Sequence, residues 1–129
     1  MFASTKAFSG YAVDDIPAAE RFYGEILGIR TSTEMDGYLL NLELADGERP
    51  TMIYAKPDFE PATYTVLNFP VDDVEAAVDA LTAKGVAFEH YEGSGQDAKG
   101  ISRGNGPTIA WFKDPAGNIL SVLENPMTP

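Results

Sequence analysis

The chain has no cysteine, and that removes disulfide scaffolds, thiolate nucleophiles and cysteine zinc sites together. It is poor in positive charge: nine Lys and Arg stand against twenty Asp and Glu, for a net charge of −11. Such a surface repels phosphate backbones and anionic headgroups, so neither nucleic acid nor a membrane surface is expected as a partner. No apolar run is long enough to cross a bilayer, and the opening MFASTKAFSG lacks the apolar core of a signal peptide. A cytoplasmic location is the expectation. There is one histidine, His90, which leaves little room for chemistry built on imidazole.

The chain of 129 residues, 44% of them apolar, suits a single domain with a real core, residues 1–129. Inside it lies a repeat. Residues 11–19 read YAVDDIPAA and residues 69–77 read FPVDDVEAA, an offset of 58 residues from Val13 to Val71. In each copy a short strand runs into an aspartate pair, Asp14-Asp15 or Asp72-Asp73, placed to cap the helix that follows. Pro17 fits a first helical turn. Ile16, Ala19, Phe22, Tyr23, Ile26 and Leu27 share one face of the first helix; Val74, Ala77, Val78 and Leu81 share one face of the second. Gly28 and Gly85 stand where left-handed caps are wanted.

Three strand-like segments follow each helix: about 29–34, 37–44 and 51–55, then about 86–91, 107–113 and 118–124. Asp114-Pro115-Ala116-Gly117 satisfies a type I turn between the last two. The glycine-rich stretch 93–106 reads as a mobile loop. The expected class is α+β: two tandem βαβββ modules, about 5–57 and 62–125, forming a curved mixed sheet around a central trough.

The strand-VDDI-PAAERFYGEILG start, the second VDDVEAAVDAL and the closing FKDPAGNILSV resemble the vicinal oxygen chelate superfamily of glyoxalases, bleomycin-resistance proteins and extradiol dioxygenases, over about Phe8 to Glu124. In its metal-dependent members, His and Glu side chains from the first and fourth strands of each module hold a divalent ion. The resemblance puts the first-strand ligands seven residues before the helix-starting aspartate, at Phe8 and Val66, and the last ligand at Ser121. The remaining position falls within Thr51-Met52-Ile53-Tyr54-Ala55, and its register is open. Hydrocarbon and a lone hydroxyl make poor ligands for a divalent ion, so the expectation is no metal and no other cofactor.

If Phe8 faces the trough, alternation also turns Gly10 and Ala12 inward, with Val66 and Asn68, Ser121 and Leu123, Trp111, and Tyr54 or Met52. The candidate ligand-binding set is Phe8, Gly10, Tyr54, Val66, Asn68, Trp111, Ser121 and Leu123. These side chains either hold a planar or hydrophobic organic molecule or simply fill the trough as core. The leading expectation is a metal-independent binder of a small organic molecule. The alternative is an enzyme of lyase, isomerase or dioxygenase type with relocated metal ligands, or with His90, Glu43 or Glu124 as acid or base; a partner subunit with a filled trough is a third. The resemblance also implies pairing into a homodimer.

Overall fold

The computed structural model describes residues 1–104 and 106–124. Asn105, within the expected loop, and Asn125, at the expected end of the second module, lie outside the described residues. The class is α+β, with one four-stranded and one three-stranded sheet. The chain divides into two compact units at Glu60–Pro61.

In the first unit β1 (Gly10–Val13) leads into α1 (Ile16–Glu20), which continues as a π-helical segment, Arg21–Ile26. Asp15 caps α1 by accepting from the Ala18 N–H at 3.0 Å. The extra residue per turn in the π segment, closed by Leu27 N–H donating to the Phe22 carbonyl, keeps Phe22 and Tyr23 buried beside Ile16 and Ala19. Then come β2 (Thr31–Glu34), β3 (Leu39–Leu44) and β4 (Arg49–Ala55), in the sheet order β1-β4-β3-β2. The two hairpin turns are alike: Met35-Asp36-Gly37 and Ala45-Asp46-Gly47 are left-handed at every residue. Aspartate tolerates that region, while Met35 and Ala45 carry some strain there.

β1 and β4 run parallel, Gly10 opposite Met52, whereas the other pairs are antiparallel. Leu40, Leu42 and Ile53 point to one face and are fully buried. Gly10, Ala12, Leu39, Asn41, Met52 and Tyr54 belong to the opposite, open face by register.

The second unit repeats the plan. β5 (Thr65–Val71) meets α2 (Val74–Ala83), capped by Asp73 accepting from Ala76 N–H at 3.1 Å. β6 (Ile109–Lys113) and β7 (Ile119–Glu124) complete a sheet ordered β5-β7-β6, with β5 and β7 parallel. Only the strand expected over 86–91 is not a regular element. It contributes a single bridge, Phe88 to Phe112, because the chain leaves the sheet edge into the loop after Tyr91. Leu120, Val122, Ala110 and Phe112 are buried on the helix side with Val74 and Val78.

The Asp114 turn is a buried lock. Its carboxylate accepts from Ala116 N–H (3.0 Å), Asn118 N–H (2.8 Å) and Asn118 Nδ2 (3.1 Å), and Asn118 Oδ1 in turn accepts from Ala62 N–H. Asp114→Ala strands three donors, and a loss of at least about 2 kcal/mol is expected, read in urea as a lower midpoint at unchanged slope. Gly10 is needed for a different reason. A Cβ there meets the Met52 carbonyl oxygen at 2.7 Å, so Gly10→Ala should cost about 1–3 kcal/mol by the same measurement.

Candidate functional site

The parallel pairs make the two units comparable residue by residue. Gly10 and Asn68 are equivalent through the repeat, and their partners across the sheet are Met52 and Ser121. Met52 is therefore the counterpart of Ser121, which settles the register that sequence left open. The four places at which the resemblance puts metal ligands hold Phe8, Met52, Val66 and Ser121. None is an imidazole or a carboxylate. Val66 sits at a bulge where Thr65, rather than Val66, pairs with Ile119. The Ser121 hydroxyl is already used: it donates to Asn68 Oδ1 at 2.5 Å with the serine fully buried. This donor set does not fit a divalent ion. Among the described residues no group of three or more His, Cys, Asp or Glu side chains is disposed to hold one.

What stands at these places instead differs between the units. On the second sheet Asn68, Ser121 and Trp111 form one cross-strand row. Tyr91 extends it, edge-on to Trp111 with ring centroids 5.6 Å apart and planes at 74°. Leu123 lies one step further along the same face, between Pro70 and Ile109. Ser121 holds the Asn68 carboxamide by its oxygen, which leaves the Nδ2 group of this exposed residue out of that bond. Loss of hydration, followed by the charge of Glu89, raises the Tyr91 phenol above its ordinary pKa.

On the first sheet the corresponding face is mixed: Gly10 lies against Met52 and Tyr54 beside Leu39 and Ala12, while Asn41, Ser32 and Glu34 share the face by register. Phe8, just ahead of β1, is 62% exposed. With Glu34, Asn41, Pro50, Thr51 and Met52 it lines a shallow depression of about 210 Å³. Of the eight candidate residues, then, Phe8, Gly10 and Tyr54 lie in the first unit, and Val66, Asn68, Trp111, Ser121 and Leu123 in the second. Gly10 has a packing role that alternation alone does not disclose.

The candidate acids and bases fare differently. Glu124 caps α2, accepting from Val74 N–H at 3.2 Å. Glu43 is 3.9 Å from Arg30 Nε. His90 is exposed and has no hydrogen bond or ion pair among the described residues.

Tyr91 escaped sequence reasoning because its placement depends on the loop it opens. That loop is built around one side chain. Gln96 accepts from Tyr91 N–H at 2.6 Å and donates to the Glu89 and Gly100 carbonyls. Bridges Gln96–Ser102 and Ser102–Ile109 tie the loop to β6, and Ile101 is buried. Lys99 and Arg103 reach Asp79 and Glu75 on α2. The expected mobile stretch is, over its described residues, an ordered strap. Asp97 fastens it through Lys99 N–H and Ile101 N–H, each at 2.9 Å, and through Arg103.

The chain belongs to the Glyoxalase/Bleomycin resistance protein/Dioxygenase superfamily, whose family model matches residues 7–122. Its fold is shared with several solved proteins. A lactoylglutathione lyase from Agrobacterium tumefaciens is 21% identical with a TM-score of 0.69, over 95% of this chain and 96% of that one. TnmS3, an antibiotic binding protein from Streptomyces sp. CB03234, is 21% identical at 0.68, over 94% and 97%. A superfamily member from Sphaerobacter thermophilus DSM 20745 is 20% identical at 0.72, over 94% and 98%. No curated protein matches the sequence. Among the described residues no helix is long and apolar enough to cross a membrane.

The strap carries a pH dependence. The Asp97 carboxyl is held below its ordinary pKa, first by Ile101 N–H and then by Arg103. A carboxyl whose folded pKa is depressed contributes stability that is present above its unfolded value and lost as pH falls through the folded one. The protection of the Lys99 and Ile101 amides, measured against the intrinsic exchange rate at each pH, should therefore fall as the medium is acidified below the ordinary carboxylate range, and Asp97→Asn should show low protection there already at neutral pH.

Proposed function

We propose that this chain is a metal-independent, small-molecule-binding member of its superfamily, which holds a hydrophobic or aromatic organic ligand against the open face of its second sheet. The observation that carries the reading is the row Asn68–Ser121–Trp111 with Tyr91. At the place where a metal enzyme needs a carboxylate, a buried serine instead orients a carboxamide beside two crossed aromatic rings. That arrangement stacks a planar ligand and offers it one or two directed hydrogen bonds, the usual composition of an organic binding surface. One further fact supports binding over acid–base catalysis at Glu124: its carboxylate accepts from the Val74 N–H at the start of α2. The antibiotic-binding neighbour indicates that the fold is compatible with such a role. Action in the cytoplasm as a homodimer completes the proposal.

Trp111 is the only tryptophan, so its emission reports on the row directly. In a panel of planar aromatic compounds without added metal, at least one should shift Trp111 emission saturably and raise the melting temperature as the logarithm of its concentration. Asn68→Ala and Tyr91→Ala should each weaken that compound about 5- to 10-fold, the worth of one hydrogen bond or aromatic contact. A panel that moves neither emission nor melting temperature, while divalent metals raise the latter, contradicts the proposal.

A further inference from the structure

We infer that the depression on the first sheet is a subsite for an organic cation, an alkylated or quaternary ammonium head group. The inference rests on the reading that an open sheet face takes a small organic ligand, and it concerns the face of the first sheet by itself.

Of the six residues lining the depression, only Glu34 is charged. Its carboxylate is exposed and has no ion-pair partner among the described residues. The nearest candidate in sequence, Arg30, is directed to Glu43. Lys56, Lys99, Arg103 and Lys113 are likewise engaged with Asp58, with Asp79 and Glu75, with Asp97 and Glu75, and with Glu89. By register no lysine or arginine occupies an open-face position on β1 to β4.

An anionic ligand in this depression meets an uncompensated carboxylate. A neutral one covers part of Glu34 and returns at most a hydrogen bond for its lost hydration, leaving the charge unbalanced. A cation satisfies it. The remaining walls include side chains that suit a soft, poorly hydrated cation, the exposed Phe8 and the polarisable Met52, with Asn41 and Pro50 beside them. An exposed phenylalanine beside a lone carboxylate is otherwise unexplained by packing, since Phe8 is 62% accessible. At about 210 Å³ the space is below that of a pocket enclosing a whole drug-sized ligand, so it receives a head group, not the full molecule. The net charge of −11 raises the local concentration of any cation and so favours encounter, without choosing the place.

The test is calorimetric titration of the full chain with benzyltrimethylammonium, benzyl alcohol and benzylsulfonate. Three variants accompany it: Glu34→Gln, Phe8→Leu, and Glu48→Gln, which removes an equal exposed charge outside the depression. The ammonium should bind about 5- to 10-fold more tightly than the alcohol, with the sulfonate weakest. Glu34→Gln should bring the ammonium down to the alcohol, Phe8→Leu should weaken it several-fold, and Glu48→Gln should leave it within twofold. The inference is overturned if the ammonium has no advantage, if Glu34→Gln and Glu48→Gln act alike, or if none of the three compounds binds. Should neutral aromatics still shift Trp111 emission in any of those cases, only the cation subsite has failed; loss of that response as well removes the underlying binding role.

Discussion

The parallel pairing of the first strand of each unit with its last is the constraint on which the other features depend. Parallel neighbours cannot be joined by a tight turn, so each unit must leave its first strand through a helix and return through antiparallel strands. The aspartates that cap α1 and α2 stand at that exit. The return puts Gly10 opposite Met52 in one unit and Asn68 opposite Ser121 in the other. The close approach of β1 to β4 demands glycine at the first of these places, and the same geometry sets Ser121 within reach of Asn68.

That geometry explains how one scaffold carries different chemistries. The strand pair brings two side chains together on the open face of each unit, whatever those side chains are. Carboxylates and imidazoles there make half of a metal site. In this chain one unit presents a thioether beside phenylalanine and the other a serine-held carboxamide beside aromatic rings. The same backbone arrangement thus holds Gly10 and Met52 in one unit and a hydrogen-bonded Asn68–Ser121 pair in the other. The Asp114 turn illustrates the opposite case. Its buried carboxylate accepts from donors of the turn itself, and so serves the fold.

Much of the fold was legible because its signals are local. The VDD repeat, the caps at Asp15 and Asp73, the left-handed Gly28 and Gly85 and the Asp114 turn each act within a few residues of chain. Alternation likewise sorted Leu40, Leu42 and Ile53 from Asn41, Met52 and Tyr54 once the register was known. What stayed hidden depends on pairing between distant segments. Met52 could be matched to Ser121 only through the partner of Gly10, and the packing role of Gly10 itself needs the position of the Met52 carbonyl. The 86–91 segment has strand composition but pairs at Phe88 alone. The strap after Tyr91 is rich in glycine, which suggests mobility, yet the multiple hydrogen bonds of Gln96 and Asp97 order it. Composition does not reveal how many bonds one side chain will make.

The central proposal is that Phe8, Met52, Val66 and Ser121, at the four places to which the resemblance assigns metal ligands, do not bind a metal. Titration calorimetry of the full chain with nickel, zinc, manganese and ferrous ions, alone and then with Met52→Glu and Ser121→Glu introduced together, tests it most directly. The account predicts no saturable binding near one equivalent by the parent chain. Stoichiometric, chelator-reversible binding of any of these ions to the parent chain, abolished by substituting residues on the open sheet faces, would contradict it.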